Sequence, residues 1–328
     1  MEKSLKSELK SKSMCVSHIK DIDGLVSVAL IKLATKSHFL LANYGNINDC
    51  LRRIHDTYQL IYICDLGINE TLIKEFARIR KFADLIYIDH HPLDSSLLDS
   101  LHNLGVQVIH NQLDCAGVLT YNLFHSDFSH EAGLLACYAA ISDRLENGPL
   151  AKKLLPHYDR DFVLQETMLL SYAIEKADSN YKKKLVNWLA ELEYPHRMPD
   201  VMKLACEQIE RVAVLRGQLG SRSQRIGDIF YADSGEFSPG TIANLLMDIC
   251  AANVCVGIDT NKQTEISDLS IRASPKVKIN LGKKVSKLAK RFGGIGGGHS
   301  KASGARIPAS KLVEFLQALD DHTKSHLQ

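Results

Sequence analysis

The chain has no uninterrupted apolar run near the ~18 residues that a membrane-spanning helix needs, so no membrane partner is expected. It has no Cys-x-x-Cys pair, and its eight cysteines stand scattered at 15, 50, 64, 115, 137, 206, 250 and 255. Thiols placed inside apolar runs behave as small hydrophobes and suit a reducing compartment, so a cytoplasmic location is expected. No internal repeat and no low-complexity tract is present, which sets aside solenoids and repeat arrays. Met1 to Ser13 is rich in Lys, Ser and Glu and holds no apolar stretch, so no signal peptide is expected. The net charge is only +2, and by itself it points to no partner. Its distribution says more, because no Asp or Glu occurs between Leu269 and Val313.

What is present is an ordinary globular composition, 45% hydrophobic and 24% charged over 328 residues, a length that favours two domains. Strand-like runs at 14–18, 39–43, 60–65, 84–89 and 105–110 alternate with helix-like runs at 24–36, 70–82, 115–125 and 130–142. That rhythm predicts an α/β domain over 1–150, with a mostly parallel sheet and helices on both faces. Helical patterns then fill 151–216, broken at Pro195 and Pro199. This stretch reads as a helical connector, serving as plain packing, a homodimer interface or a partner-docking surface. From 217 to 328 the pattern returns to α/β in a smaller domain. Strands are expected at 227–232, 253–259 and 266–273, helices at 239–250 and 281–291, and a last helix from Pro308.

Three of the apolar runs end on acids and imidazoles. Met14-Cys15-Val16-Ser17 leads into His18, with Asp21 and Asp23 behind it; Leu60 to Cys64 leads into Asp65; Leu85 to Ile88 leads into Asp89-His90-His91. Open α/β sheets build their sites at the carboxyl ends of strands. Asp143, in Ser142-Asp143-Arg144, is a further candidate at the end of an apolar helix. Each residue has an ordinary explanation: a lone Asp after a strand usually caps a helix, and Asp21 or Asp23 could cap 24–36. The set does not, because so many carboxylates close together repel unless cations neutralise them. Carboxylates with one or two imidazoles suit Mn²⁺ best, with Mg²⁺, Co²⁺ or Zn²⁺ as alternatives. Two such ions ~3.5–4 Å apart activate water and stabilise charge on a phosphoryl oxygen. The expectation is therefore a dinuclear metal site.

The second constellation is Gly293-Gly294-Ile295-Gly296-Gly297-Gly298-His299. Glycines let backbone amides approach a phosphate or sugar closely, and His299 is then a candidate hydrogen-bond donor. A flexible linker is the alternative. The acid-free stretch around it holds eleven Lys and Arg residues, among them Arg272, Lys283, Lys287, Lys290, Arg291 and Arg306. A face of one sign is a footprint for a polyanion, so nucleic acid or nucleotide phosphate is the expected partner. Arg272 is the best single candidate for a phosphate clamp, because its fork binds bidentately.

In these motifs the chain resembles the DHH phosphoesterase family over most of its length. His18-x-x-Asp21-x-Asp23-Gly24, Asp65, Asp89-His90-His91 and Asp143 resemble the four motifs of the catalytic domain. Gly296-Gly297-Gly298-His299, with Ala302 and Gly304, resembles the glycine-rich motif of the DHHA1 domain. Ser142-Asp143-Arg144 departs from the family's usual surroundings of the last acid. The resemblance implies one metal on His18, Asp21 and Asp65. A second would sit on Asp23, Asp65, His90 and Asp143, with Asp65 bridging. It implies that Asp89 orients the ligands and that His91 contacts the scissile phosphate. Arg272, Gly296, Gly297, Gly298, His299 and Arg306 would hold substrate.

Related members include RecJ-type exonucleases, nanoRNases, pAp phosphatases and cyclic-dinucleotide phosphodiesterases. The resemblance thus implies a Mn²⁺-dependent enzyme releasing nucleotides from single-stranded DNA or RNA, with a role in repair or replication. The alternatives are hydrolysis of short oligonucleotides, pAp or dinucleotides, or a catalytically silent repair or replication scaffold.

Overall fold

The computed structural model describes residues 12–324. The expectation about a signal peptide, which concerns Met1 to Ser13, falls largely outside them. The chain divides into two units, Met1–Ile209 and Glu210–Gln328.

The first unit alternates strand and helix. In order these are β1 (Ser13–His18), α1 (Ile22–Thr35), β2 (His38–Ala42), α2 (Ile47–Arg52), β3 (Leu60–Cys64) and α3 (Glu70–Ile79). They continue as β4 (Asp84–Asp89), α4 (Ser95–Asn103), β5 (Gln107–His110), α5 (Ala116–Leu123) and α6 (Ala132–Ser142). The five strands form one parallel sheet in the order β2-β1-β3-β4-β5. Successive residues of a strand face opposite sides, and both sides are covered. Met14, Val16, Ile61 and Ile63 enter one apolar core, while Cys15, Tyr62 and Cys64 enter the other. Burial on both faces is why these strands read as continuous apolar runs rather than as alternation. The chain order reverses between β1 and β3, the point where a doubly wound sheet opens a crevice at its carboxyl edge.

Four more helices follow: α7 (Ala151–Leu154), α8 (Arg160–Lys176), α9 (Ser179–Ala190) and α10 (Val201–Arg222). The stretch expected as a helical connector holds these helices, with short breaks between them. Val163, Leu170 and Ile174 of α8 and Leu185, Val186 and Leu189 of α9 are buried in the same core as α1. The division between the units falls inside α10.

The second unit adds β6 (Gln224–Ile226), β7 (Ile229–Asp233), α11 (Pro239–Ile249), β8 (Val254–Asn261), β9 (Ile266–Ala273), α12 (Leu281–Arg291), β10 (Ile295–Gly298), β11 (Ala302–Pro308) and α13 (Leu312–Lys324). Its sheet runs β10-β11-β9-β8-β7-β6 and is antiparallel except where β7 meets β8. The glycine-rich stretch, for which a flexible linker was the alternative, contributes an edge strand: Gly296, Gly297 and Gly298 pair with Ala305, Gly304 and Ser303.

Gly24 decides how closely α1 can start against β1. A Cβ there would stand 2.2 Å from the carbonyl oxygen of His18, inside any allowed contact. Gly24→Ala is therefore expected to destabilise the protein by about 3 kcal/mol or more, through strain rather than through lost burial. Urea titration checks this, and a loss below ~1 kcal/mol would mean that the turn at 18–24 relaxes easily.

Candidate metal centre

The ends of β1, β3 and β4 come together at the carboxyl edge of the parallel sheet. His18 closes β1 and Asp89 closes β4. Asp65 follows β3 with φ of 52°, a left-handed conformation that is uncommon outside glycine, Asn and Asp. Its N–H donates to Ile88 O at 3.0 Å, which ties this turn to the neighbouring strand.

Asp21 is both a helix cap and a site residue. Its Oδ1 accepts Gly24 N–H at 3.1 Å, and its Oδ2 lies 2.7 Å from His18 Nδ1. Asp23, in the first turn of α1, is fully buried. Its carboxylate accepts Ala116 N–H at 2.9 Å and Gly117 N–H at 2.6 Å. These are the first amides of α5, so a helix amino terminus fixes and partly neutralises the charge. Asp143 caps the carboxyl end of α6, and its Oδ2 lies 3.2 Å from His90 Nε2. The same nitrogen is 3.4 Å from Asp65 Oδ1 and 3.7 Å from Asp23 Oδ2. All seven residues of the sequence constellation, together with Asp143, meet here.

Among the described residues, three sets could hold a cation, each with ligand atoms within 4.8 Å of one another: His18, Asp21 and Asp65; Asp23, His90 and Asp143; and Asp65, Asp89, His90 and His91. The first two are the two ligand groups implied by the motifs, and Asp65 reaches both, with His18 Nδ1 3.7 Å from its Oδ2. That Oδ2 is buried and has no hydrogen-bond partner. A buried carboxylate oxygen without a partner is costly unless a cation completes it, and the donor set of oxygens and imidazoles suits a hard or borderline divalent ion. The residues therefore fit the metals that the motifs imply.

The electrostatics show the same need. Burial, then the charges of Asp21, Asp23, Asp143 and Asp89, push the Asp65 carboxyl far above its ordinary range. Burial, then Asp23, Asp21 and Asp89, do the same to Asp143. Asp21 goes the other way. Loss of solvent works to raise it, but the adjacent His18 imidazole and Gly24 N–H outweigh that and hold it down.

Asp89 stands behind the ligands. Its Oδ1 lies 2.8 Å from His91 Nδ1, and its Oδ2 accepts Tyr87 O–H at 2.5 Å. Burial opposes its charge, but the His91 and Tyr87 contacts prevail and hold it at about 2. His91 is in turn raised: burial disfavours its cation, and Asp89 outweighs burial.

Sequence reasoning missed Tyr44. Its hydroxyl lies 3.3 Å from His91 Nε2 and accepts Gly67 N–H at 3.3 Å. Its ring centroid is 5.5 Å from that of His18, and the residue is 51% exposed, open to a ligand. The available signal was positional, since Tyr44 follows the carboxyl end of β2 as Asp65 follows β3.

The second unit places the other expected residues on its sheet. Arg272, on β9, donates through Nε to Asn244 at 3.0 Å and through Nη1 to Ser270 Oγ at 3.0 Å. Arg306, on β11, is joined at both ends to Asp268 of β9, at 2.7 and 2.9 Å, which commits its fork to a protein carboxylate. His299 follows β10, and its N–H donates to Ala302 O at 2.7 Å, closing the turn into β11.

Comparison with known proteins supports the same architecture. Residues 236–325 match the DHHA1 domain family. A stretch of 101 residues is 32% identical to an uncharacterised protein of Methanocaldococcus jannaschii, covering 30% of this chain and 22% of that protein, so the chain matches about a fifth of that relative's length. A solved structure described as the DHH domain of a member of a ribosomal-protein family superposes with a TM-score of 0.76. It has 15% identity and covers 98% of this chain and 88% of its own. RecJ of Thermus thermophilus in complex with Mn²⁺ gives 0.63 at 14% identity, over 98% of this chain and 54% of RecJ. The pGpG-specific phosphodiesterase PggH of Vibrio cholerae gives 0.53 at 13%, over 96% of this chain and 100% of PggH. The chain has the DHH/DHHA1 fold, with a DHHA1 domain as its carboxyl-terminal part.

Proposed function

We propose that the protein is a two-metal phosphodiesterase that releases nucleotides from the end of single-stranded DNA or RNA. The observation that carries this is the pair of ligand sets sharing Asp65 at the carboxyl edge of the sheet. Mn²⁺ is the proposed ion, with Mg²⁺ or Co²⁺ able to replace it. When bound, the two ions would supply an activated water and neutralise charge at phosphorus. The chain's own residues do the rest. His18 and Asp21 would hold one ion and Asp23, His90 and Asp143 the other, with Asp65 within reach of both sets. The two amides of α5 keep Asp23 from turning away. Asp89 orients His91, which contacts the scissile phosphate as a hydrogen-bond donor. Arg272, His299 and the backbone of Gly296 to Gly298 hold the substrate away from the reacting phosphorus. A cytoplasmic site of action fits the free cysteines.

A second reading restricts the substrate to short oligonucleotides, pAp or dinucleotides, and PggH, described as pGpG-specific, motivates it. Turnover against substrate length separates the two. A scaffold without catalysis has no use for an intact ligand set; failure of the purified protein to bind Mn²⁺ would favour it.

Tyr44→Phe removes the hydroxyl facing His91 but keeps the ring. We expect kcat to fall about tenfold while Mn²⁺ affinity stays unchanged, because the contact orients His91 and not a metal ligand. Calorimetric Mn²⁺ titration beside steady-state kinetics checks this, and a loss of metal affinity equal to the loss of rate would contradict it.

A further inference from the structure

The second unit presents a charged surface that the metal centre does not use. α12 begins at the turn after the glycine-rich strand: Gly282 N–H donates to His299 O at 3.0 Å, and Leu281 N–H to Ser300 O at 3.1 Å. A Cβ on Gly282 would stand 1.9 Å from Gly298 O, so helix and strand meet there in a contact that only glycine permits. From this corner α12 packs along β10, with the Gly296 backbone against Val285 and Ala289. β10 is the edge strand of its sheet.

The apolar residues of α12, namely Leu281, Val285, Leu288 and Ala289, are all buried. Lys283, Lys287, Lys290 and Arg291 are exposed. Their spacing of i, i+4, i+7 and i+8 sets them on one stripe of the helix. No acid occurs between Leu269 and Val313 to neutralise that stripe locally. β10 has no strand on its outer edge among the described residues, so the backbone groups of that edge lie open next to α12; Gly297, turned to the face away from the helix, would meet nothing within 4 Å with a Cβ.

We infer that α12 and the open edge of β10 form a track for the sugar–phosphate backbone of a single strand, leading away from the glycine turn. The inference rests on the phosphodiesterase reading and specifies its substrate as a strand of several nucleotides rather than a dinucleotide. Eleven helical residues span about 16 Å, room for roughly three phosphates. A polyanion suits the stripe because its cations lie in a row. A membrane does not, because α12 turns no apolar side chain outward for insertion.

The test uses the full chain carrying Lys283→Gln, Lys287→Gln and Lys290→Gln together, with thermal melting and Mn²⁺ titration as controls for folding. In an Asp65→Asn background, which prevents turnover, fluorescence anisotropy reads the binding of a single-stranded decamer against salt. The slope of log K against log [salt] is expected to be shallower by about 2 in the triple variant. In the Asp65 protein, the ratio of kcat/KM for a decamer over a dinucleotide should fall about tenfold or more. An unchanged slope together with an unchanged ratio would overturn the track. So would binding to anionic vesicles, or to acidic proteins, in place of the decamer. If the triple variant melts, Lys287→Gln alone should reduce the slope by about 0.7. Decamer binding with the expected slopes but no hydrolysis by the Asp65 protein would keep the track and remove the phosphodiesterase reading instead.

Discussion

Asp65→Asn is expected to leave a folded protein whose Mn²⁺-dependent hydrolysis is lower by about 10³-fold or more, and which is more stable than its parent in the absence of metal. Both effects come from one position. Asp65 is the carboxylate that reaches both ligand sets, so its replacement by a neutral amide removes the shared ligand. Asn tolerates left-handed backbone nearly as well as Asp, so φ of 52° need not change. Without metal the same carboxylate is buried among Asp21, Asp23, Asp143 and Asp89, whose charges oppose its ionisation. Removing it relieves the cost of burying this carboxyl among acids, whether met as repulsion or as retention of a proton, by about 1 kcal/mol or more at neutral pH. Kinetics with saturating Mn²⁺ and urea titration in chelator read the two effects. A variant that is inactive and less stable would show that Asp65 supports the fold more than it crowds the site.

Stabilisation by Mn²⁺ is expected to grow with pH. The folded-state pKa values of Asp65 and Asp143 are raised above those of the unfolded chain. Such groups contribute stability that is present below the unfolded value near ~3.9 and is lost as pH rises through the folded value. The metal-free protein therefore weakens toward neutral pH. Mn²⁺ displaces the protons that these carboxyls retain, and each proton displaced makes affinity rise by up to about tenfold per pH unit. At a concentration about 100 times Kd the ion adds about 2.7 kcal/mol. Melting with and without Mn²⁺ from about pH 5.5 to about pH 8 should show a widening gap. A gap that is constant or narrows would mean that the cluster is already ionised without metal.

Much of this was legible in the chain. The strands of the first sheet are buried on both faces, so they appear as apolar runs, and the residues that end them are the residues that meet. Asp143 was weaker in sequence because it ends a helix instead of a strand, yet it lies 3.2 Å from His90. Less legible were the features set by neighbours. The strand at Ile295–Gly298 has almost no side chains to alternate, and its conformation comes from pairing with β11. α2, α4 and β6 are short, and α4 and β6 are mostly polar, too brief for periodicity to stand out. α8 and α9 show the amphipathic spacing of any packed helix, and spacing does not say which core receives it. Arg306 looked free for phosphate, but its partner Asp268 lies just outside the acid-free stretch and faces it across the β9–β11 register. Tyr44 carried only its place after the carboxyl end of β2, which an ordinary surface tyrosine can share.

The most direct test of the central claim is hydrolysis of end-labelled single-stranded DNA and RNA, from two to about thirty nucleotides long, with Mn²⁺, with chelator, and with Asp65→Asn in place of the parent. The expected result is Mn²⁺-dependent release of nucleotides from one end, lost in chelator and in the variant, with long strands processed. Absence of hydrolysis of every substrate in the presence of bound Mn²⁺, or turnover that persists in Asp65→Asn, would contradict it.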